Sequence, residues 1–485
     1  MNEYASPPLT PPMRRLGGVA AALLLASALP GCTVGPEFVR PAAPSFEHYT
    51  RHDPAALTDG EGGVTQALRR GQAVPVRWWQ AYGSPALDEL VATAVDGSAT
   101  LESARATVAQ ARHVLDAARG VRYPRIDLTA SAARTHGARD GGKSGAANVL
   151  SFGPAVNADT DAFGANRRRV EQAQALADYQ LAQWQAAQLS LSGNTVLQAI
   201  ALAAAREQIA AVGDIIAVDR RNLELVRLAS EAGKSARLDV LTAESQLDSD
   251  RALLPPLQQQ ASVASHALAV LAGKTAPWEP PPFTLQDFSL PAELPLVLPS
   301  LLVRRRPDIL AAQAQLHAAS AAIGIASAQL YPDITLSAQW TATGASVGGL
   351  FGGASLWNLA ANLVAPVFDA GTLAAQRAAA TDAYAAQLGA YRQALLQAFG
   401  QVADTLESLR HDAALLEAQR KALGTALAVL DLTRQSYQAG QASLLQLFES
   451  QRQYQHARLG HARAQGQRYA DTAQWFIAMG GAPTP

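Results

Sequence analysis

Few side chains in this sequence have the types and spacing that chemistry requires. The arginine run 304–306 could bind a phosphate group, but it directly precedes Pro307, where a helix is predicted to begin. We therefore expect a structural cap and ion pairs between helices there. His456 and His461 stand five residues apart on a predicted helix and lack metal-ligand spacing. With no nucleophile elbow, phosphate-binding loop or paired-carboxylate motif, the sequence predicts neither an enzyme nor a metal site.

The only cysteine, Cys32, follows a leader of the kind that directs secretion. Two arginines precede a short apolar run at 16–29, so 1–31 is predicted to be a signal peptide. The sequence LPGC resembles the lipobox of bacterial lipoproteins, although Pro30 departs from the usual small residue. That resemblance implies a covalent lipid on Cys32 as the only attached group, and Thr33 implies outer-membrane sorting. The alternative is a cleaved signal followed by an incidental cysteine.

Composition restricts the class of protein further. The chain has 485 residues, a formal net charge of −1, and 49% hydrophobic but only 6% aromatic residues. This mixture favours long helices, and the neutral balance gives no electrostatic reason to expect nucleic acid as a partner. After Cys32, no uninterrupted apolar stretch reaches 18 residues, so no transmembrane helix is predicted. A mature chain that spans a membrane would then need a closed β-barrel.

The elements that must position any functional residue occur twice in the chain. Three landmarks recur 207 or 208 residues apart: Tyr123-Pro124 with Tyr331-Pro332, Gly164 with Gly371, and Gly233 with Gly440. Such a long period with two copies indicates duplication of a whole supersecondary unit. The predicted divisions are a signal peptide at 1–31, an N-terminal lipoprotein and equatorial segment at 32–85, repeat 1 at 86–290 and repeat 2 at 291–485.

Each repeat is predicted to contain a helix, a β-hairpin with a glycine-rich loop, and a long helical hairpin. The predicted bounds are helices at 86–119 and 308–329, first strands around 126–132 and 334–342, loops at 135–148 and 344–354, second strands at 149–160 and 355–368, long helices at 165–229 and 371–437, and returning helices at 238–273 and 444–478. The first strands alternate apolar residues with small uncharged polar ones, as membrane-barrel strands do. Gly233 and Gly440 mark the two hairpin tips.

This order of parts resembles the TolC-like outer membrane factors, in the lipoprotein branch of tripartite RND-type efflux systems. The matching stretches are CTVGPEF, WWQAYGSPALDELV, PSLLVRRRPDI, VAPVFDAGTLAA and the two tips. The resemblance implies a mainly α fold with transmembrane β-strands: a homotrimer whose helical hairpins form a periplasmic α-barrel and whose four strands per chain build a twelve-stranded outer-membrane β-barrel. It also implies a passive exit duct for drugs, dyes or solvents, working with a periplasmic adaptor protein and an inner-membrane pump.

The resemblance implies a gate at the periplasmic tips. Glu449 matches an acidic ring residue, and Gln446 occupies a place where some members have Asp. Tyr437 and Asp239 match a pair that ties the two hairpins together in the closed state. Ala442 stands where some relatives carry an arginine that strengthens this tie. The alternative for Glu449 is a solvated carboxylate near the start of a helix, favoured there by the helix dipole.

Two other functions fit parts of the sequence. A duct for type I protein secretion would share the architecture, because the sequence does not separate the cargo. A periplasmic coiled-coil scaffold lipoprotein would explain the helices but not the alternating segments with their glycine-rich loops. A hydrolase would require a motif that the sequence lacks.

Overall fold

The structure, a computed structural model, describes residues 33–51, 56–58, 65–138, 144–352 and 354–481. Helices dominate these residues. In chain order the strands and helices are β1 (Ala56–Thr58), β2 (Thr65–Arg70), α1 (Pro85–Gly97), α2 (Ala99–Gly120), β3 (Arg125–Ala138), β4 (Ser144–Asp159), α3 (Ala165–Glu231), α4 (Arg237–Arg251), α5 (Leu254–Leu271), β5 (Glu293–Leu296), α6 (Pro299–Leu302), α7 (Pro307–Ala328), β6 (Asp333–Gly344), α8 (Val347–Gly352), β7 (Ala354–Val364), α9 (Thr372–Gln438) and α10 (Leu444–Ala478).

The chain forms two compact units, and each unit draws segments from both sequence repeats. Unit 1 contains the described residues within 33–40, 109–178 and 314–389, and unit 2 contains those within 41–108, 179–313 and 390–481. These units describe spatial grouping, whereas the divisions predicted from the sequence describe the order of segments along the chain. The predicted sequence divisions therefore stay a prediction.

Unit 1 contains a four-stranded antiparallel sheet in the order β3-β4-β6-β7. Its register places Leu128 opposite Pro154, Val156 opposite Ala338, and Ala338 opposite Leu359. Because side chains alternate along a strand, this register collects the apolar residues of all four strands on one face. The large members of that face are exposed in the single chain, and they include Ile126, Leu128, Phe152, Trp340, Trp357, Leu359 and Leu363.

The opposite face of this sheet carries mostly small uncharged polar side chains. The residues on it include Thr129, Ser131, Ser151, Asn157, Ser337, Gln339, Thr341, Asn358 and Asn362. The large apolar exceptions are Val149, Leu356 and Val364, and the charged residues on this face are Arg125, Asp127, Asp159 and Asp333. The Ser131 and Ser151 hydroxyls hydrogen-bond across the strands at 2.7 Å. The period-two alternation predicted for the first strands is therefore present and extends across the whole sheet.

Unit 2 contains a small sheet that the sequence analysis did not predict. Strand β2 pairs antiparallel with β1 and parallel with β5. Beside it lies an aromatic core in which Trp78, Tyr82 and Trp475 are almost fully buried. The Tyr82 hydroxyl donates to the Tyr469 carbonyl at 2.8 Å, and the Trp475 indole donates to the Pro295 carbonyl at 2.9 Å. These hydrogen bonds satisfy polar groups that would otherwise be costly to bury.

The two long helices, α3 and α9, have 67 residues each, matching the predicted bounds to within two residues. At 1.5 Å per residue, each helix is about 100 Å long. Along α9 the buried apolar side chains recur at steps of seven, four, four and three, through Tyr391, Ala398, Val402, Leu406 and Leu409. That spacing keeps one stripe of the helix buried.

Several predicted boundaries were wrong. The helix predicted at 86–119 is two helices, because Ser98 is extended and its hydroxyl caps α2 by accepting from the Leu101 amide. The helix predicted at 238–273 breaks between α4 and α5, directly before two prolines that cannot donate backbone hydrogen bonds. The glycine-rich loop predicted at 344–354 contains the short helix α8.

Among the described helices, α7 is long and apolar enough to cross a membrane by length and composition. The sequence analysis predicted this helix but not a membrane span, because Gln313, Gln315 and His317 interrupt its apolar run. Half of its most apolar stretch is buried inside the protein, and a buried core helix passes the same test. One such helix is weak evidence for a membrane span.

Candidate functional site

The two hairpin tips share one backbone design. Gly233 and Gly440 both adopt the left-handed conformation, with φ of 71° and 73°. In each tip the residue after the glycine donates a hydrogen bond back to the helix: Lys234 to the Ala229 carbonyl and Gln441 to the Ser436 carbonyl, both at 2.8 Å. This is the Schellman arrangement, which ends a helix and reverses the chain. The predicted tip role of both glycines is thus matched by their backbone geometry, while their part in gating stays a prediction.

Asp239 and Gln446 occupy equivalent positions in the first turns of α4 and α10. The Asp239 carboxylate accepts hydrogen bonds from the Ser235 hydroxyl at 2.7 Å and the Ala236 amide at 3.0 Å. These bonds to the charged form, the serine hydroxyl first, lower the pKa of Asp239. The Gln446 side chain likewise accepts from the Ser443 amide at 2.8 Å. Two residues predicted for the gate therefore cap the helices on which they lie.

The predicted tie between Tyr437 and Asp239 is absent from the hydrogen bonds of the described residues. Tyr437 lies near the end of α9 with its side chain exposed, while Asp239 bonds within its own hairpin. Other polar contacts join the two hairpins farther along α3 and α10. Arg458 pairs with Asp214, and Arg463 donates to the Gln208 side chain at 2.9 Å. A closed-state role for Tyr437 and Asp239 remains a prediction.

Glu449 lies half-buried in α10, paired with a cation that the sequence analysis did not consider. Arg452 donates to both carboxylate oxygens, with both Nη2 contacts at 2.6 Å. Gln453 donates to the same carboxylate at 3.0 Å. Hydrogen bonding to Arg452 is the main cause of the lowered pKa of Glu449. The i, i+3 spacing of Glu449 and Arg452 was the available signal.

A buried acidic pair lies between α3 and α4 and had no sequence signal. Asp219 and Asp250 are only 7% and 3% exposed, among the apolar side chains of Ile216, Leu223 and Leu247. Burial, followed by the neighbouring Asp250 carboxyl, raises the pKa of Asp219 to about 7. The charge of Arg452 on α10 acts in the opposite direction. The charge of the cation that pairs with Glu449 therefore also acts on the buried Asp219.

In the arginine run 304–306, Arg306 has a structural role. Arg306 is buried and donates to the carbonyls of Ala398 and Ala478, at 3.4 and 3.0 Å, and to Gln401 at 2.6 Å. Its ion pair with Asp308, at 2.7 Å, is local rather than between helices as predicted. This guanidinium thus satisfies carbonyls of α9 and α10 near the start of α7, and phosphate binding is not its role.

The residues described contain no cluster of His, Cys, Asp or Glu that could hold a metal ion. Cys32 and the predicted signal peptide lie outside the described residues. The segment that follows Cys32 is fixed in unit 1, where Arg168 donates to the Val34 carbonyl at 3.3 Å and to the Gly35 carbonyl at 3.2 Å. Phe38 stacks on His317 with ring centroids 4.3 Å apart.

Paired long helices, together with a sheet that exposes a continuous apolar face, define the class of outer-membrane channel proteins. The chain belongs to the outer membrane efflux protein family, whose family model matches residues 90–274 and 298–481. The two matched segments correspond to the two repeats recognised in the sequence.

Individual proteins show the same relationship. The chain is 33% identical to the pyoverdine export outer membrane protein OpmQ of Pseudomonas aeruginosa, over 88% of this chain and 93% of OpmQ. It is 29% identical to nodulation protein T of Rhizobium leguminosarum bv. viciae, over 96% of this chain and 93% of that protein. The solved structure of the outer-membrane channel OprN is similar with a TM-score of 0.84 at 26% identity, covering 94% of this chain and 100% of OprN.

The comparisons confirm the family, the channel role and the location predicted from the sequence. The protein is an outer-membrane efflux channel component of a Gram-negative bacterium. Its fold is mostly helical and of the TolC-like channel type. The family is one of channels rather than enzymes, and its members work with adaptor and inner-membrane pump partners.

Proposed function

We propose that three copies of this chain form the passive exit duct of a tripartite efflux pump. Each copy contributes four strands to a twelve-stranded outer-membrane barrel and two helical hairpins to a periplasmic tube. An inner-membrane pump supplies the energy and a periplasmic adaptor protein connects it to this duct. The chain conducts small molecules without catalysing a reaction, and the gate lies at the hairpin tips. A lipid on Cys32 adds a second membrane anchor.

The two-faced sheet in unit 1 is the observation that carries this proposal. Its apolar face is suited to lipid, and its polar face is suited to water. Among the described residues, the outer edges of β3 and β7 have no strand partner. Unpaired backbone groups are very costly in lipid, and four strands are too few to close a barrel. Pairing β7 of one copy with β3 of the next removes both edges.

The polar face indicates the class of cargo. Its small hydroxyl and amide side chains offer hydrogen bonds, and its charged residues lie only at one end of the sheet, at the starts of β3 and β6 and the end of β4. This composition suits a duct that passes varied small molecules. Relatives are named for pyoverdine export, toluene efflux and solvent efflux. We infer that this protein exports small organic molecules of comparable chemistry.

The tips suit docking of an adaptor protein. Leu238 and Leu445 occupy equivalent positions in the first turns of α4 and α10, and both side chains are exposed. Exposed leucines at the same place on both tips give each copy two similar apolar contacts. A trimer would therefore present six such tips to the adaptor.

Neighbouring residues on opposite faces of β7 provide a matched test. Leu359→Arg places a charge on the apolar face, whereas Asn358→Arg places the same charge on the polar face. A lipid-facing arginine costs about 2–4 kcal/mol at the bilayer midplane. We expect Leu359→Arg to reduce the amount of trimer in outer membranes and Asn358→Arg to leave it near the wild-type amount.

The oligomeric state and the channel activity are measured on the same purified protein. Native mass in detergent is expected to correspond to three chains, and planar-bilayer recordings are expected to show ion conductance. A monomeric wild-type protein, or equal loss of trimer with both arginine variants, would exclude the shared barrel. Restored drug or solvent resistance in a deletion strain, with an unchanged secreted-protein profile, would support small-molecule rather than protein export.

A further inference from the structure

Inside the chain, α3 of repeat 1 packs against α10 of repeat 2, and a glycine makes room at this contact. Gly193 is buried on α3, and the Ile477 side chain lies directly over it. A Cβ atom built on Gly193 would lie 2.5 Å from Ile477 Cδ1 and 2.9 Å from its Cγ1. These distances are too short for van der Waals contact, so only glycine accommodates the isoleucine at this position.

The two repeats keep one register over the helices that form this contact. The long helices begin at residues 165 and 372 and end at 231 and 438, so the offset is 207 at both ends. The returning segments of the two repeats end at 271 and 478, with the same offset. Gly273 and Gly480 follow these ends, both left-handed, with φ of 68° and 88°. Residues 207 apart in these helices therefore occupy equivalent positions.

The counterparts of the glycine and the isoleucine are Gly400 on α9 and Val270 on α5, and both are uncovered in one chain. Val270 is 75% exposed. Among the described residues, nothing beyond the nearby backbone of its own helix lies within 4 Å of a Cβ built on Gly400. Leu396, one turn before Gly400, is 67% exposed, whereas its counterpart Leu189 is half-buried. The chain thus carries both halves of the inner contact a second time, on surfaces that it does not cover itself.

We propose that Val270 of the partner subunit lies over Gly400, so that α5 of one copy packs on α9 of the next. This inference rests on the proposed trimer, because the two positions do not meet within one chain. The inner contact accommodates an isoleucine over the equivalent glycine, and valine is smaller by one carbon. A second copy is therefore the occupant that the repeat specifies. Its docking would remove Val270 and Leu396 from water.

The polar contacts nearer the tips are not repeated in this way. Inside the chain, Arg458 on α10 pairs with Asp214 on α3. The residues 207 positions away are Arg251 and Lys421, which have like charge and pair with acids of their own helices. The apolar contact near the end of α5, and not a copy of that ion pair, therefore holds neighbouring copies together.

A disulfide between the two positions tests the contact in the full-length trimer. Ile477 Cγ1, which is one bond from Cβ, lies 2.9 Å from the Cβ position at Gly193. Cysteines at the equivalent positions of two copies would then fall within the Cβ separation of about 3.5–4.5 Å that a disulfide spans. After mild oxidation, we expect Val270→Cys/Gly400→Cys protein to run on denaturing gels as linked chains.

The chain offers matched controls for this disulfide. Val270→Cys and Gly400→Cys as single variants should give no linked chains, which also controls for the native Cys32. The internal pair Gly193→Cys/Ile477→Cys should form its disulfide within one chain and run as a monomer on the same gel. Mass spectrometry of the linked peptides identifies the bond in each case.

Stability of the trimer gives an independent readout. We expect trimers of Gly400→Leu to dissociate about tenfold faster on heating in detergent, because the added side chain overpacks against Val270. Adding Val270→Ala should recover part of this loss. Gln397→Leu is the control and should keep the wild-type rate, since Gln397 is one turn away and its counterpart Ser190 stays exposed inside the chain.

Two results would overturn this inference while leaving the trimer in place. They are the absence of linked chains from a trimeric cysteine pair, and equal dissociation rates of the Gly400→Leu and Gln397→Leu trimers. A monomeric wild type would overturn the proposed assembly together with it.

Discussion

Glu449 on α10 and Asp219 on α3 each have a neighbour that sets what their replacement will do. Glu449 is held by Arg452, so removing the carboxylate also releases a guanidinium. Arg452 in turn opposes the raised pKa of Asp219. Glu449, which the family resemblance predicts for the gate, thus belongs to a polar network with Arg452 and Asp219, which the resemblance did not indicate.

Replacing Glu449 by Ala tests the acidic ring. We expect the cation-to-anion permeability ratio in planar bilayers to fall by about twofold or more, because threefold symmetry removes three carboxylates and frees three guanidinium groups. We also expect greater sensitivity of cells to large antibiotics. Glu417→Ala is the control, since Glu417 pairs with Lys421 on an exposed part of α9. Unchanged selectivity and sensitivity in a correctly assembled trimer would remove Glu449 from the gate.

Asp219 gives a pH-dependent prediction. The pKa of Asp219 is raised from 3.8 to about 7 in the folded chain. Between these two values the folded chain keeps the proton that the unfolded chain has already lost. The resulting loss of stability is absent below about pH 4, grows as the pH rises, and is complete above about pH 7. We expect Asp219→Asn to raise the unfolding temperature at pH 8 and to change it little at pH 4, measured by circular dichroism in detergent.

The comparison for Asp219→Asn is Asp248→Asn, an exposed carboxylate on α4. It should show no comparable gain at pH 8. Equal effects of Asp219→Asn at both pH values would show that Asp219 is not held protonated in the fold.

At the scale of elements, duplication makes the two hairpins similar but not identical. Both tips use a left-handed glycine and the same backbone hydrogen bonds. The returning segment is broken into α4 and α5 in repeat 1 but continuous as α10 in repeat 2. The break follows from Pro255 and Pro256, since the second repeat has no proline in its returning helix.

Replacing glycine by alanine should have opposite effects on stability at a hairpin tip and inside a long helix. Gly440→Ala should destabilise the fold by about 1 kcal/mol, because an alanine at φ of 73° is strained although space for its Cβ is open. Gly424→Ala, inside α9 with equally open space, should stabilise it by about 0.5–1 kcal/mol. Chemical unfolding in detergent measures both. Stabilisation by both substitutions would mean that the tip does not require the left-handed conformation.

At the scale of the whole molecule, the chain leaves apolar surface and strand edges that one copy does not cover. In the proposed trimer, the exposed apolar face of the sheet requires lipid, and the edges of β3 and β7, which have no strand partner among the described residues, require neighbouring copies. These requirements are independent of the lipid predicted on Cys32. The lipid and the sheet should therefore contribute separately to membrane attachment.

Replacing Cys32 by Ser separates these two contributions. We expect the variant to remain in the membrane fraction after a carbonate wash, because the sheet still holds it there, although its anchoring during assembly is weaker. Immunoblots of washed membranes, with mass spectrometry for the lipid on the wild type, measure this. A variant recovered entirely in the soluble fraction would contradict membrane insertion through the sheet.

Most of the architecture could be predicted from the sequence because its signals are local. Proline and glycine restrict the backbone where they stand, and apolar periodicity distinguishes strands from helices. The 207-residue offset in the sequence relates the two tips, the two long helices and the two β-hairpins. The breaks at Ser98 and before Pro255 were not predicted, because the apolar periodicity on both sides of each break favours one continuous helix.

The sequence alone determined the repeat, the alternating strands and the two glycine tips, since each depends on neighbouring residues. Tertiary structure decided which distant groups meet. Arg306 reaches carbonyls 92 and 172 residues away, and Asp219 lies beside Asp250 on another helix. Such contacts depend on how helices pack side by side, and packing brings together residues that no short-range pattern connects.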